Sequence, residues 1–310
     1  MALLAIHSRT LPPGSWMPAK RLSVLSLALA LVVPCAAQTA QDPPDPVEPS
    51  ALFTHVISQQ KRSETELEQF ERIQRVESRK PGADPNAIET RVFRLFPNGT
   101  GLNKLPLPTD GKSADSPAYR AELEKLERYL AWIVQDGSAQ REAYAKAERR
   151  RKERFDLIES THQAFAFTFE GKEMRGDRQL LRYAMAPRKD YKATSRMTTL
   201  FTKVRGTIWV DEQTSQLAKV EGQVTDDISL ALFLAKVNKG SHFMQERYEV
   251  APQVWEPTFE QYDFDGRKYF SSFSIHERTF YTGYKRVGPP RESLSVVRAE
   301  LSKLPATKRP

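Results

Sequence analysis

The sequence predicts an α+β protein built around one antiparallel sheet. After Thr161 the hydrophobic period changes from 3.6 to 2, and seven strand-like segments follow in succession, separated by short polar turns. Before Thr161, two runs keep helical spacing instead. The second half has no segment resembling the crossover helix that a parallel sheet requires.

Taken in order, residues 1–37 read as a leader and signal peptide. Lys20 and Arg21 form a basic start, Leu22 to Val33 an apolar stretch, and Cys35-Ala36-Ala37 the small residues expected before cleavage at Gln38. Met17 is the expected start of this leader. Cys35 is the only cysteine; Val32, Val33 and Pro34 before it do not suit a lipid-attachment site, so lipoprotein anchoring is not expected. Cleavage after Ala37 then leaves a chain with no disulfide, whose fold rests on its core. The expected location is an exported, periplasmic one. Removing the leader's Arg9, Lys20 and Arg21 leaves 44 basic against 39 acidic residues, a net charge of +5. That mild excess suits peripheral contact with an anionic membrane surface better than nucleic acid. The longest later apolar run, Ile228 to Val237, is shorter than the roughly 20 residues of a membrane-spanning helix.

Residues 38–50 carry four prolines and read as an extended tether. A single domain is expected over 51–284. Leu52, Val56 and Ile57 recur at helical spacing, whereas Phe70, Ile73 and Val76 fit either a helix or a first strand. "IETRVFRLFPNGTG" reads as a strand ending in a Pro-Asn-Gly turn. Leu123, Leu126, Leu130 and Ile133 fall on one face of a helix over Tyr119–Gln135, and Asp136-Gly137 ends it. A second helix, over about Ser138–Thr161, carries the charged run "ERRRKER", and the two predict a helical hairpin spanning 117–161. That run reads as a solvated face or a membrane-surface contact. Residues 285–310 read as a loosely held tail.

Motifs for chemistry are scarce. There is no Gly-x-Ser-x-Gly elbow, and "DGKS" at Asp110 has Pro106 where a phosphate loop needs glycine. His55, His162, His242 and His276 lie far apart in sequence, so no metal site and no cofactor are expected. Asp226, Asp227, Asp263 and Asp265 sit at strand ends, where acids usually shape turns; a hydrolase would need two of them to converge in a cleft. The strands are crowded instead with large apolar residues, which implies either a filled core or the lining of an apolar hollow.

Three segments carry a resemblance: "FTFEGKEMRGDRQLLRYAMAPR", "VRGTIWVDEQTSQLAKVEGQV" and "KGSHFMQERYEVAPQVWEPTFEQYDFDG". In order they resemble strands of the LolA-like outer-membrane lipoprotein carrier and sorting superfamily, in its uncharacterised exported acidobacteria-type branch. The Gly206-x-x-Trp209-x-Asp211 strand and the Trp255-Glu256-Pro257 piece carry most of it. The resemblance implies an antiparallel half-barrel covered by helices, with an apolar cavity for the acyl chain of a lipid or lipoprotein, and no catalysis. The charged hairpin is additional to that minimal fold. Candidate lining residues are Phe167, Phe169, Leu181, Trp209, Trp255 and Phe259. Ile228, Leu230, Leu232, Phe233 and Leu234 are candidates for a lip or plug, read as a short helix tucked into the hollow. The competing expectation is an interaction module with a closed core, whose hairpin docks an envelope protein partner.

Overall fold

The computed structural model describes residues 49–79, 87–109, 117–230, 235–268 and 271–304. The leader, its start at Met17, the cleavage site, and the tether up to residue 48 lie outside the described residues. Helix α1 (Pro49–Glu66) and a 3-10 turn (Leu67–Gln69) lead into β1 (Phe70–Arg79), β2 (Ile88–Pro97) and β3 (Leu102–Leu107). Helices α2 (Pro117–Ile133) and α3 (Ser138–Ala164) follow, then β4 (Phe165–Arg175), β5 (Arg178–Pro187) and the short α4 (Arg196–Thr199). The rest comprises β6 (Val204–Asp211), β7 (Leu217–Val224), β8 (Ile228–Leu230), β9 (Ala235–Val237), β10 (His242–Ala251), β11 (Val254–Lys268), β12 (Ser271–Arg286) and α5 (Pro290–Leu301).

The strands form one antiparallel sheet in the order β3-β2-β1-β12-β11-β10-β7-β6-β5-β4, with the β8–β9 hairpin attached to β11. It stays open, ending at β3 on one side and β4 on the other, which makes it an α+β half-barrel. The predicted meander of seven strands is present as β4–β7 and β10–β12. The N-terminal strands join its far end, β1 pairing with β12 from Phe70↔Arg286 to Arg79↔His276.

Helices cover both faces. Arg72 lies beneath α1 and α3, while its neighbour Glu71 pairs with Arg94, which also bonds Tyr119 of α2 and Glu300 of α5. Successive strand residues face opposite sides. So α1 and α3 cover one face of the sheet, and α2 and α5 cover the other at the β1–β3 end.

Three expectations need correction. The proposed tail contains α5, begun by Pro290 and buried through Leu294 and Val297 against α2; proline at the first helical positions favours a helix start. The predicted hairpin packs only near its turn, where Gln140 of α3 donates to the Trp132 carbonyl and Ala143 meets the α2 cluster. Beyond it α2 lies on α5 and β3 while α3 lies on α1, because the rest of α3 buries only Ile158 and Ala164. The strand ending in a Pro-Asn-Gly turn is present as expected: β2 ends at Pro97 and the turn leads into β3, with Gly99 at φ +85 supplying the left-handed turn conformation. The short helix read into the Ile228–Val237 run is the β8–β9 hairpin, pairing Ile228 with Val237; both side chains are buried in the core.

Candidate functional site

Alternation along the strands aims one set of apolar side chains at α1 and α3. Phe165 and Phe167 of β4, Met185 of β5, Ile208 of β6, Val220 of β7 and Phe243 of β10 form a floor. Phe53, Val56, Ile57 and Gln60 of α1, with Ile158, Thr161 and His162 of α3, form the roof. Helical spacing of 3 or 4 puts each roof set on one face. Gly222 is opposite Phe243, and any Cβ on it would lie 2.4 Å from the Phe243 ring, so glycine makes room for that ring on the floor. Between floor and roof lies a cavity of about 110 Å³. Gln60 Nε2, buried on its wall, has no hydrogen-bond partner among the described residues.

Of the six predicted lining residues, the structure brings Phe167 to the cavity, where it stacks on Phe53 at 3.7 Å between ring centroids. Phe169 and Leu181 lie on the same face but in the adjoining cluster with Tyr183 under α1. Trp209 follows Ile208 in the strand and therefore points to the opposite face, where it packs with Leu180, Ala218 and Trp255. Arg182 and Lys219 lie over the Trp209 ring, and Arg178 over that of Trp255. Phe259 pairs with Glu246, next to the cavity residue Gln245, so it too faces away and packs on Phe280. Among the lip candidates, Ile228 is a core residue, Leu230 ends β8, and Leu232, Phe233 and Leu234 lie outside the described residues. Sequence reasoning missed the roof. Its signal was the pair of stripes Phe53/Val56/Ile57/Gln60 and Ile158/Thr161/His162, the second diluted by charged neighbours.

The floor becomes polar towards β11, β12 and β1. Gln245 donates to Glu260 at 2.6 Å, Tyr281 donates to the other Glu260 oxygen at 3.0 Å, Gln74 donates to Tyr281 at 3.2 Å, and Lys104 donates to Gln74 at 3.0 Å. Arg247 lies 3.5 Å from the fully buried Glu256 and also donates to the Trp255 carbonyl. Loss of hydration raises the Glu256 carboxyl to about 8, with Glu64 and Glu66 of α1 adding to the shift and the Arg247 charge opposing it.

The four strand-end acids hold separate partners. Asp226 pairs with Lys203, Asp227 with Lys236, and Asp265 accepts from Ser274. Asp263 lies between His242 (3.1 Å) and His276 (2.7 Å). His276 Nε2 is also 2.9 Å from Ser274 Oγ, which reproduces the contact order of a serine–histidine–aspartate chain. One hydroxyl hydrogen cannot serve both His276 and Asp265, which is 2.5 Å away. This ladder of cross-strand pairs lies on the face opposite the cavity, since His242 precedes the floor residue Phe243. Among the described residues, no group of three or more histidine, cysteine or acidic side chains is placed to hold a metal ion. No helix of the described residues is long and apolar enough to cross a membrane. The "ERRRKER" run is largely tied down: Arg154 pairs with Glu64 and Glu68, Arg151 with Glu68, and Lys152 with Asp156.

No family model matches the chain, and no curated protein matches it. Similar solved structures include a LolA superfamily protein from Nitrosomonas europaea, with 11% identity over 80% of this chain and 98% of that one and a TM-score of 0.31. They also include a DUF1329 family protein from Desulfovibrio piger, with 13% identity over 76% and 92% of the two chains and a TM-score of 0.31. The LolA superfamily that the strand motifs resemble is named among these structures, and the acidobacteria-type branch is not. Likeness at this level assigns no ligand to this chain.

Proposed function

We propose that the protein is an exported, non-enzymatic binder of lipid or lipoprotein acyl chains in an envelope compartment. The observation that carries this is the cavity between α1, α3 and the sheet, whose lining is apolar except for Gln60, Thr161, His162 and Gln245. Burial of acyl CH₂ groups at roughly 0.8 kcal/mol each is the driving force. The cavity is smaller than the roughly 300–1,000 Å³ of a drug-sized ligand site. A whole chain therefore enters only as α1 and α3 part from the floor. The same small volume favours a second reading, a closed core with the exposed α3 surface docking a protein partner.

Native mass spectrometry of the protein from an exported preparation, with solvent extraction, separates the two. Co-purified or added acyl lipid is the expected result. Val220→Phe, which fills the cavity from the floor, should reduce lipid occupancy at least about tenfold while changing stability by about 0.5–2 kcal/mol. A mass that stays free of lipid after incubation sinks the acyl reading and leaves the closed core.

A further inference from the structure

A second cavity of about 350 Å³ lies further along both roof helices, bordered on another side by the β2–β3 turn at Gly99 to Gly101. On α1, Gln60 borders the first cavity; Glu64, then Leu67 and Glu68 of the following turn, border the second. On α3 the chain runs the other way. Ile158 borders the first cavity, and Arg154, Arg150 and Ala147 border the second. Gln60 to Glu64 and Ile158 to Arg154 are each one helical turn, about 6 Å. The two spaces are therefore successive compartments beneath one antiparallel helix pair.

The second compartment has unmatched positive charge. Arg72 in its floor is 6% exposed, donates weakly to the Phe70 carbonyl at 3.4 Å, lies 5.8 Å from the Tyr281 ring centroid, and has no ion pair among the described residues. Arg150 donates to the Thr100 carbonyl at 2.7 Å and likewise has no ion pair among them. The acids that border the space are already engaged: Glu64 by Arg154, and Glu68 by both Arg154 and Arg151. The Arg72 charge is felt by the carboxyl of Glu256, which forms no ion pair with it and which burial lifts to about 8, so it stays largely protonated near neutral pH. A buried guanidinium without a paired carboxylate is costly, and the missing partner is an anion. Gln60 Nε2, unpaired at the junction, adds a donor facing the same path.

We infer that the ligand is an anionic amphiphile whose chain enters the apolar compartment and whose phosphate or carboxylate head is bound between Arg72 and Arg150. This rests on the acyl-binding reading and narrows it: a neutral lipid leaves Arg72 unpaired, and a free anion leaves the apolar compartment unused. Guanidinium–phosphate contacts are charge-assisted, and the one to the buried Arg72 is shielded by α1 and α3, so the head contributes affinity as well as orientation.

The test is calorimetric titration of the purified full chain, below micelle-forming concentrations, with dodecyl phosphate, dodecanol and inorganic phosphate. Dodecyl phosphate should bind roughly 10- to 100-fold more tightly than dodecanol, the range of a hydrogen bond to a charged group. Arg150→Gln, at an exposed helix position, should shrink that ratio at least several-fold and leave dodecanol affinity unchanged. Arg72→Gln should shrink it further, with its melting curve checked because the site is buried. Equal affinity for dodecyl phosphate and dodecanol overturns the head-group site while leaving acyl binding intact. Inorganic phosphate binding as tightly as dodecyl phosphate overturns the shared path in favour of a free-anion site. Binding of none of the three removes the acyl reading together with this one.

Discussion

Two helix pairs cover opposite faces of the same sheet, and they are held by different forces. Helix α2 sets Tyr119, Leu123, Leu126, Leu130 and Ile133, all buried, against Phe96, Leu105, Leu294 and Val297. Helix α3 is longer, at 27 residues, yet buries only Gln140, Ile158 and Ala164. Ion pairs tie it to α1 and the turn after it: Lys61 with Glu159 at 2.7 Å, and Arg154 and Arg151 with Glu64 and Glu68. Interdigitated apolar side chains leave no space and resist separation. Charged tethers across a polar rim span an unfilled volume and release a helix at small cost. The cavity lies under the second pair.

The sharpest test of this contrast is truncation on each side. Leu126→Ala on α2 should lower stability by about 3–5 kcal/mol, because the surrounding cluster cannot collapse into the gap. Ile158→Ala on α3 should cost nearer 2 kcal/mol, since its side chain already borders empty space. Urea unfolding of both variants measures the difference. Equal costs would mean that α3 is packed as firmly as α2, and the contrast would fail.

The α2 side was largely legible in the sequence, since Leu123, Leu126, Leu130 and Ile133 repeat without interruption. Its partner α5 was not. Leu294 and Val297 offer a short stripe between prolines and a charged terminus, and only contact with α2 makes it a helix. Strand β3 was hidden by Pro106, which an edge strand tolerates. The site was less readable than the fold. Period 2 identifies two faces of a strand without saying which one the helices cover. Here both bury apolar side chains, so Trp209 and Ile208 read alike until the roof is in place. Nothing in the sequence marks Arg72 as buried; α1 and α3, distant in sequence from each other, cover it.

A second difference separates the faces by pH. Glu256 lies in the floor below the C-terminal end of α1, and burial lifts its carboxyl from an ordinary 4.5 to about 8. The folded state thus holds a proton that the unfolded chain releases. The contribution to stability is fully present below about pH 4.5 and is lost as pH rises through about 8. Glu256→Gln stays neutral throughout, so its stability relative to the parent should rise between pH 6 and pH 9 by more than about 1 kcal/mol. A difference that does not change with pH would place the Glu256 proton elsewhere. The α2 side offers no comparable dependence through Arg94, whose charge is held by Glu71 and Glu300 far above this range.

The smallest effect concerns the tether itself. Lys61 and Glu159 are 29% and 57% exposed, so their bond is screened by water and salt. Lys61→Met should change global stability by less than about 1 kcal/mol. Local opening is a different quantity, because α3 has so few buried side chains to hold it once a tether is gone. Hydrogen exchange of the α3 amides near Glu159 should therefore speed up several-fold in Lys61→Met, and in the parent at 1 M salt, while the α2 amides near Leu126 exchange as before. Acceleration of both helices together would mean that the sheet opens as one unit. Acceleration of neither would mean that Ile158 and the Arg154 pairs hold α3 alone, and the path into the cavity would then have to open at α1.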